Sequence, residues 1–400
     1  FWCYQFVISL CALVKLKDKP YLVNKNHKFM AIIPAHNEEM VVANLIESLK
    51  NQTYDKNLYD IYVIADNCTD KTAEVARKAG AIVYERFDNA HKTKGYALQW
   101  FLKQKIAENA DYDAFFVFDA DNIVDKNFIK NMNKKLCQGE EVVQGYRDIK
   151  NPTDNWITAG YALFYWTMHR MYHLARYNIG LSPLLNGTGF MVKFDVIKPN
   201  GWETQTLTED IEFSLKQIIQ GRKLGWATDA IVYDEQPTSF KQAWSQRSRW
   251  TVGHMQCLKT YTGQLYKAVK EHKTLMNLDG LLYIAGTAPI LVVTFGLILI
   301  NCIMYVSQAM TTWLFIVNIL NYLIPTLLFP IFTALFVMVL EKKPIKPMIK
   351  GLLCYPAFMG TWVIINLKCL FKRETTWEKI DHVRDIKIAE VKEEEIPEKI

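Results

Sequence analysis

Ala114-Phe115-Phe116-Val117-Phe118-Asp119-Ala120-Asp121 is the stretch that decides the fold. Five apolar residues run without a break into two carboxylates two positions apart. A run this short and this apolar reads as a strand buried on both faces, as in a parallel sheet covered by helices. Its carboxyl end delivers Asp119 and Asp121 to the sheet edge, where open α/β sheets bind ligands. Two carboxylates so placed repel each other. A hard divalent cation, Mg²⁺ or Mn²⁺, is their natural oxygen-bound partner. Such a pair is also common in solvated loops, and the neighbouring segments decide between the two.

Upstream, strands and helices alternate. Residues 28–34, 61–65 and 81–84 read as strands, and 40–50, 71–80 and 96–109 as helices. This pattern predicts an α/β domain over 29–235 with a mostly parallel sheet and helices on both faces. Polar clusters follow the first two strands. One is Pro34-Ala35-His36-Asn37-Glu38 and the other Asp66-Asn67-Cys68-Thr69-Asp70. Together they can hold a base and ribose through side-chain acceptors. Taken singly, each is an ordinary post-strand turn, with Asp70 as a helix cap.

Downstream, Thr208-Glu209-Asp210 precedes an amphipathic helix, 211–220. Thr208 can cap that helix, and Asp210 can act as a general base on an acceptor hydroxyl. Gln246-Arg247-Ser248-Arg249-Trp250 comes next. Gln246, Arg249 and Trp250 share one helix face by their three- and four-residue spacing. Arg249 offers a planar fork to phosphate oxygens, and Trp250 an apolar ring to the C–H face of a sugar.

The 400 residues are half hydrophobic, with a net charge of +6. The apolar residues are unevenly spread, which suggests a soluble domain joined to a membrane domain. Residues 1–14 end in Lys15, Lys17 and Lys19 and read as the remainder of a first membrane helix. No small-residue cleavage site follows, which argues against a signal peptide. Residues 281–306 and 312–340 are long enough to span a bilayer, the second with Pro325 and Pro330 as kinks. The uncharged loop 307–311 should lie outside and the basic segment 341–350 inside. Residues 351–371 are apolar with basic residues at both ends, so a re-entrant or interfacial course is preferred to a crossing. Two aromatic and basic helices, 155–180 and 240–261, suit a membrane interface, with ordinary core helices as the alternative. The resulting division is 1–28 membrane helix and linker, 29–235 catalytic domain, 236–280 interfacial helices, 281–371 transmembrane or re-entrant helices, and 372–400 cytosolic tail. The eight cysteines form no CxxC pair and read as reduced packing residues, so no zinc site is expected. No basic stripe points to nucleic acid.

The motifs, in the order Asp66, Asp119-Ala120-Asp121, Thr208-Glu209-Asp210 and Gln246-Arg247-Ser248-Arg249-Trp250, resemble the processive branch of glycosyltransferase family 2. Cellulose, hyaluronan and poly-N-acetylglucosamine synthases belong to that branch. The resemblance covers nearly the whole chain from Phe29 into the membrane segments. It implies a GT-A fold, a UDP-sugar donor, a divalent metal and inversion at the anomeric carbon. It places His36, Glu38 and Asp66 at the nucleotide, with Asp66 at the uracil. It places Lys94 at the donor, Asp119 and Asp121 at the diphosphate and metal, and Arg249 at the leaving group. Asp210 becomes the base, while Gly187, Glu209, Gln246 and Trp250 face the acceptor. Thr376-Trp377-Glu378-Lys379 resembles a Trp-containing segment of some members.

The expected function is therefore extension of a polysaccharide by a multi-pass cell-membrane enzyme with a cytosolic catalytic domain. Membrane lipid surrounds it, and an accessory subunit or a second copy can complete a pore. Single transfer to a lipid acceptor is the rival within enzymes. A transporter would place charges inside its spans, and 281–306 and 312–340 contain no Asp, Glu, Lys, Arg or His. A non-catalytic nucleotide-sugar sensor would not need the full set of carboxylates.

Overall fold

The computed structural model describes residues 2–14 and 19–371. Trp377 and its neighbours, with most of the basic cluster at 15–19, lie outside the described residues. In chain order the elements are α1 (Trp2–Leu10), β1 (Phe29–Ala35), α2 (Val42–Lys50), β2 (Tyr59–Asp66), α3 (Thr72–Lys78), β3 (Ile82–Arg86), α4 (Lys94–Ala107), β4 (Ala114–Val117), β5 (Ile123–Val124) and α5 (Phe128–Cys137). Then come β6 (Val142–Ile149), α6 (Trp156–Met168), a π-helical turn (His169–Leu174), α7 (Ala175–Asn178), β7 (Phe190–Lys193), α8 (Phe194–Ile197), α9 (Glu209–Ile219) and β8 (Gly225–Asp234). The helices α10 (Phe240–His272), α11 (Leu275–Ala285), α12 (Thr287–Val306), α13 (Thr312–Leu340) and α14 (Ile345–Phe371) complete the described chain.

Strand β1 shows why the first half folds as the sequence predicts. Its side chains alternate between two cores, with Phe29, Ala31 and Ile33 on one face and Met30 and Ile32 on the other. Helix α2 covers the first face with Val42, Leu45, Ile46 and Leu49, each worth about 2 kcal/mol of apolar burial. Helix α4 covers the second with Ala97, Leu98, Phe101 and Leu102.

The sheet has eight strands in the order β3-β2-β1-β4-β7-β6-β8-β5. From β3 to β4 all pairings are parallel. Beyond β4 the sheet is mixed. β7 runs antiparallel between β4 and β6, β6 and β8 are parallel, and β5 is antiparallel to β8. The expectation of a mostly parallel sheet is corrected accordingly. The strand–helix alternation that supported it ends at residue 118. β7 then returns, after the long excursion through α6 and α7, in the opposite direction.

The aromatic helix expected at an interface is enclosed by protein. Tyr161, Tyr165 and Trp166 of α6 are buried in a third core with Tyr146, Trp226 and residues of α13 and α14. Helix α10 is longer than expected and ends at His272. The expected span 281–306 is broken at Gly286, between α11 and α12. Among the described residues, Thr312–Leu340 and Ile345–Cys369 are long and apolar enough to cross a membrane. α14 is one uninterrupted helix through Pro356 and contains no reversal of the kind a re-entrant segment needs.

Candidate active site

The carboxyl ends of β1, β2 and β4 stand side by side, because β1 pairs with both neighbours. They bring His36, Asp66 and Asp119 to one edge. His36 Nδ1 donates to the Asp66 carbonyl at 2.7 Å. The Glu38 backbone N–H donates to Thr72 Oγ1 at 2.7 Å, and its carbonyl accepts from Val41 and Val42 at the start of α2. Asp66 is buried and accepts from Arg86 Nη1 at 2.6 Å. Burial pushes its carboxyl up, against the pull of Arg86. Arg86 also holds Asp88 and the His91 carbonyl, and so shapes the loop leading to Lys94. Arg86→Met should cost about 3 kcal/mol, because it leaves a buried charge unpaired. Thermal unfolding checks this. The deficit should narrow as pH falls, because a carboxyl held above its ordinary value carries its burial cost only when ionised.

Lys94 opens α4 and is the hinge of the site. Its ammonium bonds Asp119 Oδ1 and, at 2.7 Å, the Gly187 carbonyl, and lies 3.9 Å from Glu209. Burial pulls its pKa down, but Asp119 and Glu209 outweigh that and the net shift is upward. Gly95 permits the approach: a Cβ there would lie 2.6 Å from Thr204 Oγ1.

Asp119, Asp121 and Asp234 each offer an oxygen within 4.8 Å of the others. Asp234 closes β8 and was not foreseen, nor were Asn122 and Arg147, which fix the cluster together with Thr188 of the turn at Gly187. Asn122 Nδ2 donates to Asp121 at 3.3 Å and to Asp234 at 3.0 Å. Thr188 Oγ1 accepts the Asp119 N–H at 3.0 Å. Arg147 bonds Asp234 through Nε at 2.9 Å and through Nη2, and its Nη1 donates to the Asn186 carbonyl at 2.9 Å. Burial pushes Asp234 up to about 7. Arg147 opposes that, and the Asp121 and Asp119 carboxylates reinforce it. Three hard oxygen donors this close, with Lys94 and Arg147 as the cations bonded to Asp119 and Asp234 and the Gln236 amide also donating to Asp234, fit Mg²⁺ or Mn²⁺. Ile231-Val232-Tyr233-Asp234 repeats the apolar-run-to-carboxylate pattern of β4, and that was the signal available in the sequence.

Glu209 and Asp210 open α9. Burial raises both carboxyls, Asp210 to about 7 with Glu209 as the next cause. Thr208 holds the cap position, but its hydroxyl makes no capping bond and lies 3.7 Å from Cys257 Sγ of α10. Gly187 has φ +91°, and a Cβ there would sit 3.7 Å from Asp210 Oδ2 and 3.9 Å from Arg147 Nη1. A glycine both permits that turn and leaves a gap between the two groups.

On α10, Arg249 is close enough for its charge to lower the Glu209 carboxyl. Arg247 instead is buried against α14, donating to Thr361 at 2.6 Å. Trp250 stacks on Trp362 of α14 at 6.2 Å and meets Tyr161 and Tyr165 edge-on. Gln246 Oε1 is buried without a hydrogen-bond partner among the described residues.

The family model described as "Glycosyltransferase like family 2" matches residues 27–253. The chain belongs to glycosyltransferase family 2. Its curated relatives include the probable glycosyltransferase YdaM of Bacillus subtilis, 28% identical over 253 residues, 60% of this chain and 58% of that protein. They also include a beta-monoglucosyldiacylglycerol synthase of a Nostoc species, 28% identical over 244 residues, 59% of this chain and 51% of that one. The family 2 chain thus spans between about half and three fifths of the length of these relatives. Among solved structures, the mannosyltransferase PcManGT from Pyrobaculum calidifontis, in complex with GDP-Man and Mn²⁺, superposes with a TM-score of 0.62. The match covers 92% of this chain and 94% of that one at 14% identity, a likeness of fold. All the motif residues from His36 to Trp250 fall inside the family match.

Proposed function

We propose that this family 2 enzyme transfers a sugar from a UDP-sugar to an acceptor hydroxyl in a single displacement with inversion. The observation that carries the reading is the gap at Gly187, bounded by Asp210 and Arg147, beside the three-carboxylate cluster. An acceptor hydroxyl in that gap gives its proton to Asp210. Its oxygen then bonds the anomeric carbon, and the bond to the UDP oxygen breaks with its electron pair. A base whose pKa lies near neutrality suits that step. Asp119, Asp121 and Asp234 would hold Mg²⁺ or Mn²⁺, which supplies charge neutralisation on the diphosphate. Lys94 fixes Asp119 against the Gly187 turn, and Arg249 adds positive charge beside Glu209. His36, Glu38 and Asp66 lie at the edge assigned to the nucleotide.

The acceptor is a hydroxyl presented at the membrane face of a membrane-embedded enzyme, with the catalytic domain in the cytosol. A lipid-borne acceptor is favoured by the way α14 is clamped on α6. Phe358 packs on Gly160 and Gly351 on Ala159, closing the space between these helices. Extension of a glycan is the second reading. Trp250 and Trp362, both only partly buried, stack on each other and suit sugar rings. Product sizing after incubation with UDP-sugars and Mg²⁺ or Mn²⁺ decides between them. A single glycolipid is expected, a ladder of polymer would establish extension, and no transfer with any nucleotide sugar would overturn the proposal.

A further inference from the structure

Length and apolarity mark α14 as a helix able to cross a membrane, but its packing points to a different course. The turn before it is tied to the catalytic domain. Lys343 donates to the buried Asp148 at 2.5 Å, and Glu341 accepts from Arg170 at 3.1 Å. Asp148 lies in β6, paired with Tyr233, the residue before Asp234. The far end of α14 is tied to the same domain. Cys369 Sγ donates to the Ser248 carbonyl at 3.8 Å, and Thr251 Oγ1 donates to Asn366 at 3.2 Å. Ile365 and Cys369 pack with Val252 and with Leu207, two residues before Glu209. Both ends of the helix therefore stand at the catalytic face.

The turns between follow the same rule. Met348, Leu352, Tyr355, Phe358, Ile365 and Cys369 form one buried stripe. On the other side Ile345, Ile349, Leu353, Ala357, Gly360 and Ile364 form an exposed stripe at four-residue and three-residue spacing. A helix of 27 residues extends about 40 Å, so crossing a bilayer would separate its ends by the bilayer's thickness. A single domain bound to both ends, and to the turns between, is incompatible with that.

Resting on the reading that the catalytic domain lies outside the bilayer, we infer that α13 crosses the membrane and α14 does not. Instead α14 lies in the plane of the membrane surface with its apolar stripe on the leaflet. The occupant of that stripe is an anionic phospholipid surface. α13 leads directly into α14 through the anchored turn, and the exposed Lys346, Lys350 and Lys368 match the charge of such lipids. The helix then makes the leaflet one wall of the acceptor site, because it carries Trp362 onto Trp250.

Single cysteines on a background without the native ones test this in sealed, oriented vesicles with a membrane-impermeant maleimide. Lys346→Cys and Lys368→Cys should react from the same side as Lys78→Cys on the catalytic domain. Ser307→Cys, between α12 and α13, should react only from the other side. Labelling of 346 and 368 from opposite sides overturns the inference. So does Lys368→Cys that reacts only after detergent, or Ser307→Cys labelled on the catalytic side. The readout needs no turnover. A chain that fails to transfer sugar yet labels as expected would sink the proposed reaction and leave this topology standing.

Discussion

Asp210→Asn lowers sugar transfer about a thousandfold and leaves donor binding intact. Asparagine keeps the shape of the side chain at the second position of α9 but cannot take a proton. Burial and the adjacent Glu209 hold the native carboxyl at about 7, from an ordinary value of 3.8. In the wild-type enzyme transfer should fall as pH drops through about 7, because the base becomes protonated. The residual rate of the variant should lack that slope. A stability effect of opposite sense accompanies this. Between 3.8 and about 7 the folded state keeps a proton that the unfolded state has released. Stability contributed by Asp210 therefore declines as pH rises across that window. Asparagine carries no charge to desolvate, so the variant should unfold at a higher temperature than wild type at pH 8, with the gap closing toward acid. Initial rates across pH, donor titration calorimetry and thermal melts check the three statements. Wild-type-like turnover by Asp210→Asn would remove this residue as the base.

The half of the sheet from β3 to β4 was legible in the sequence because β1, β2 and β3 are each followed by a helix and β4 is an unbroken apolar run. Phe29 to Ala35 is buried along nearly its whole length, as its composition requires. The other half was not. β7 reverses direction after some forty residues of helix and loop, and no local periodicity records a reversal of that range. Asp119, Asp121 and Asp210 could be read because each stands at or beside an element end with a clear chemical type, and Trp250 because helical spacing sets it on one face with Gln246 and Arg249. Arg147 and Arg86 could not. Arg147 lies inside β6 and Arg86 ends β3, and a charged residue in a strand reads as solvated until its buried partner, Asp234 or Asp66, is known. The aromatic run of α6 misled for a related reason. Aromatic side chains suit a membrane interface and a protein core equally, and here Tyr161 and Trp166 are covered by α13 and α14. Hydropathy also cannot distinguish a crossing helix from one laid along a domain. For α14 that distinction lies in partners such as Asp148 and Ser248, which are remote in the chain.

Asp234→Asn and Arg147→Met should act on the cation in opposite directions, although each breaks the same ion pair. Asp234 is one of three carboxylates whose oxygens lie within 4.8 Å of one another. Removing its charge leaves Asp119 and Asp121, the former already bonded to Lys94. Affinity for Mn²⁺ should fall by at least about tenfold to a hundredfold, measured by calorimetry or by the spin resonance of free Mn²⁺ without donor. Arg147→Met takes a buried positive charge away from the same cluster. The ordinary coulombic sign then favours the cation, and Mn²⁺ affinity should hold or rise. Transfer should nevertheless fall in Arg147→Met, because Nη1 no longer holds the Asn186 carbonyl and the Gly187 turn loses its anchor beside Asp210. A pair of variants that share a broken bond but split metal affinity from turnover separates two roles. Asp234 would be a ligand, and Arg147 a positioning residue acting through the turn. Equal loss of Mn²⁺ affinity in both would mean that the pair only holds the sheet edge in shape, and the cation site would then reduce to Asp119 and Asp121.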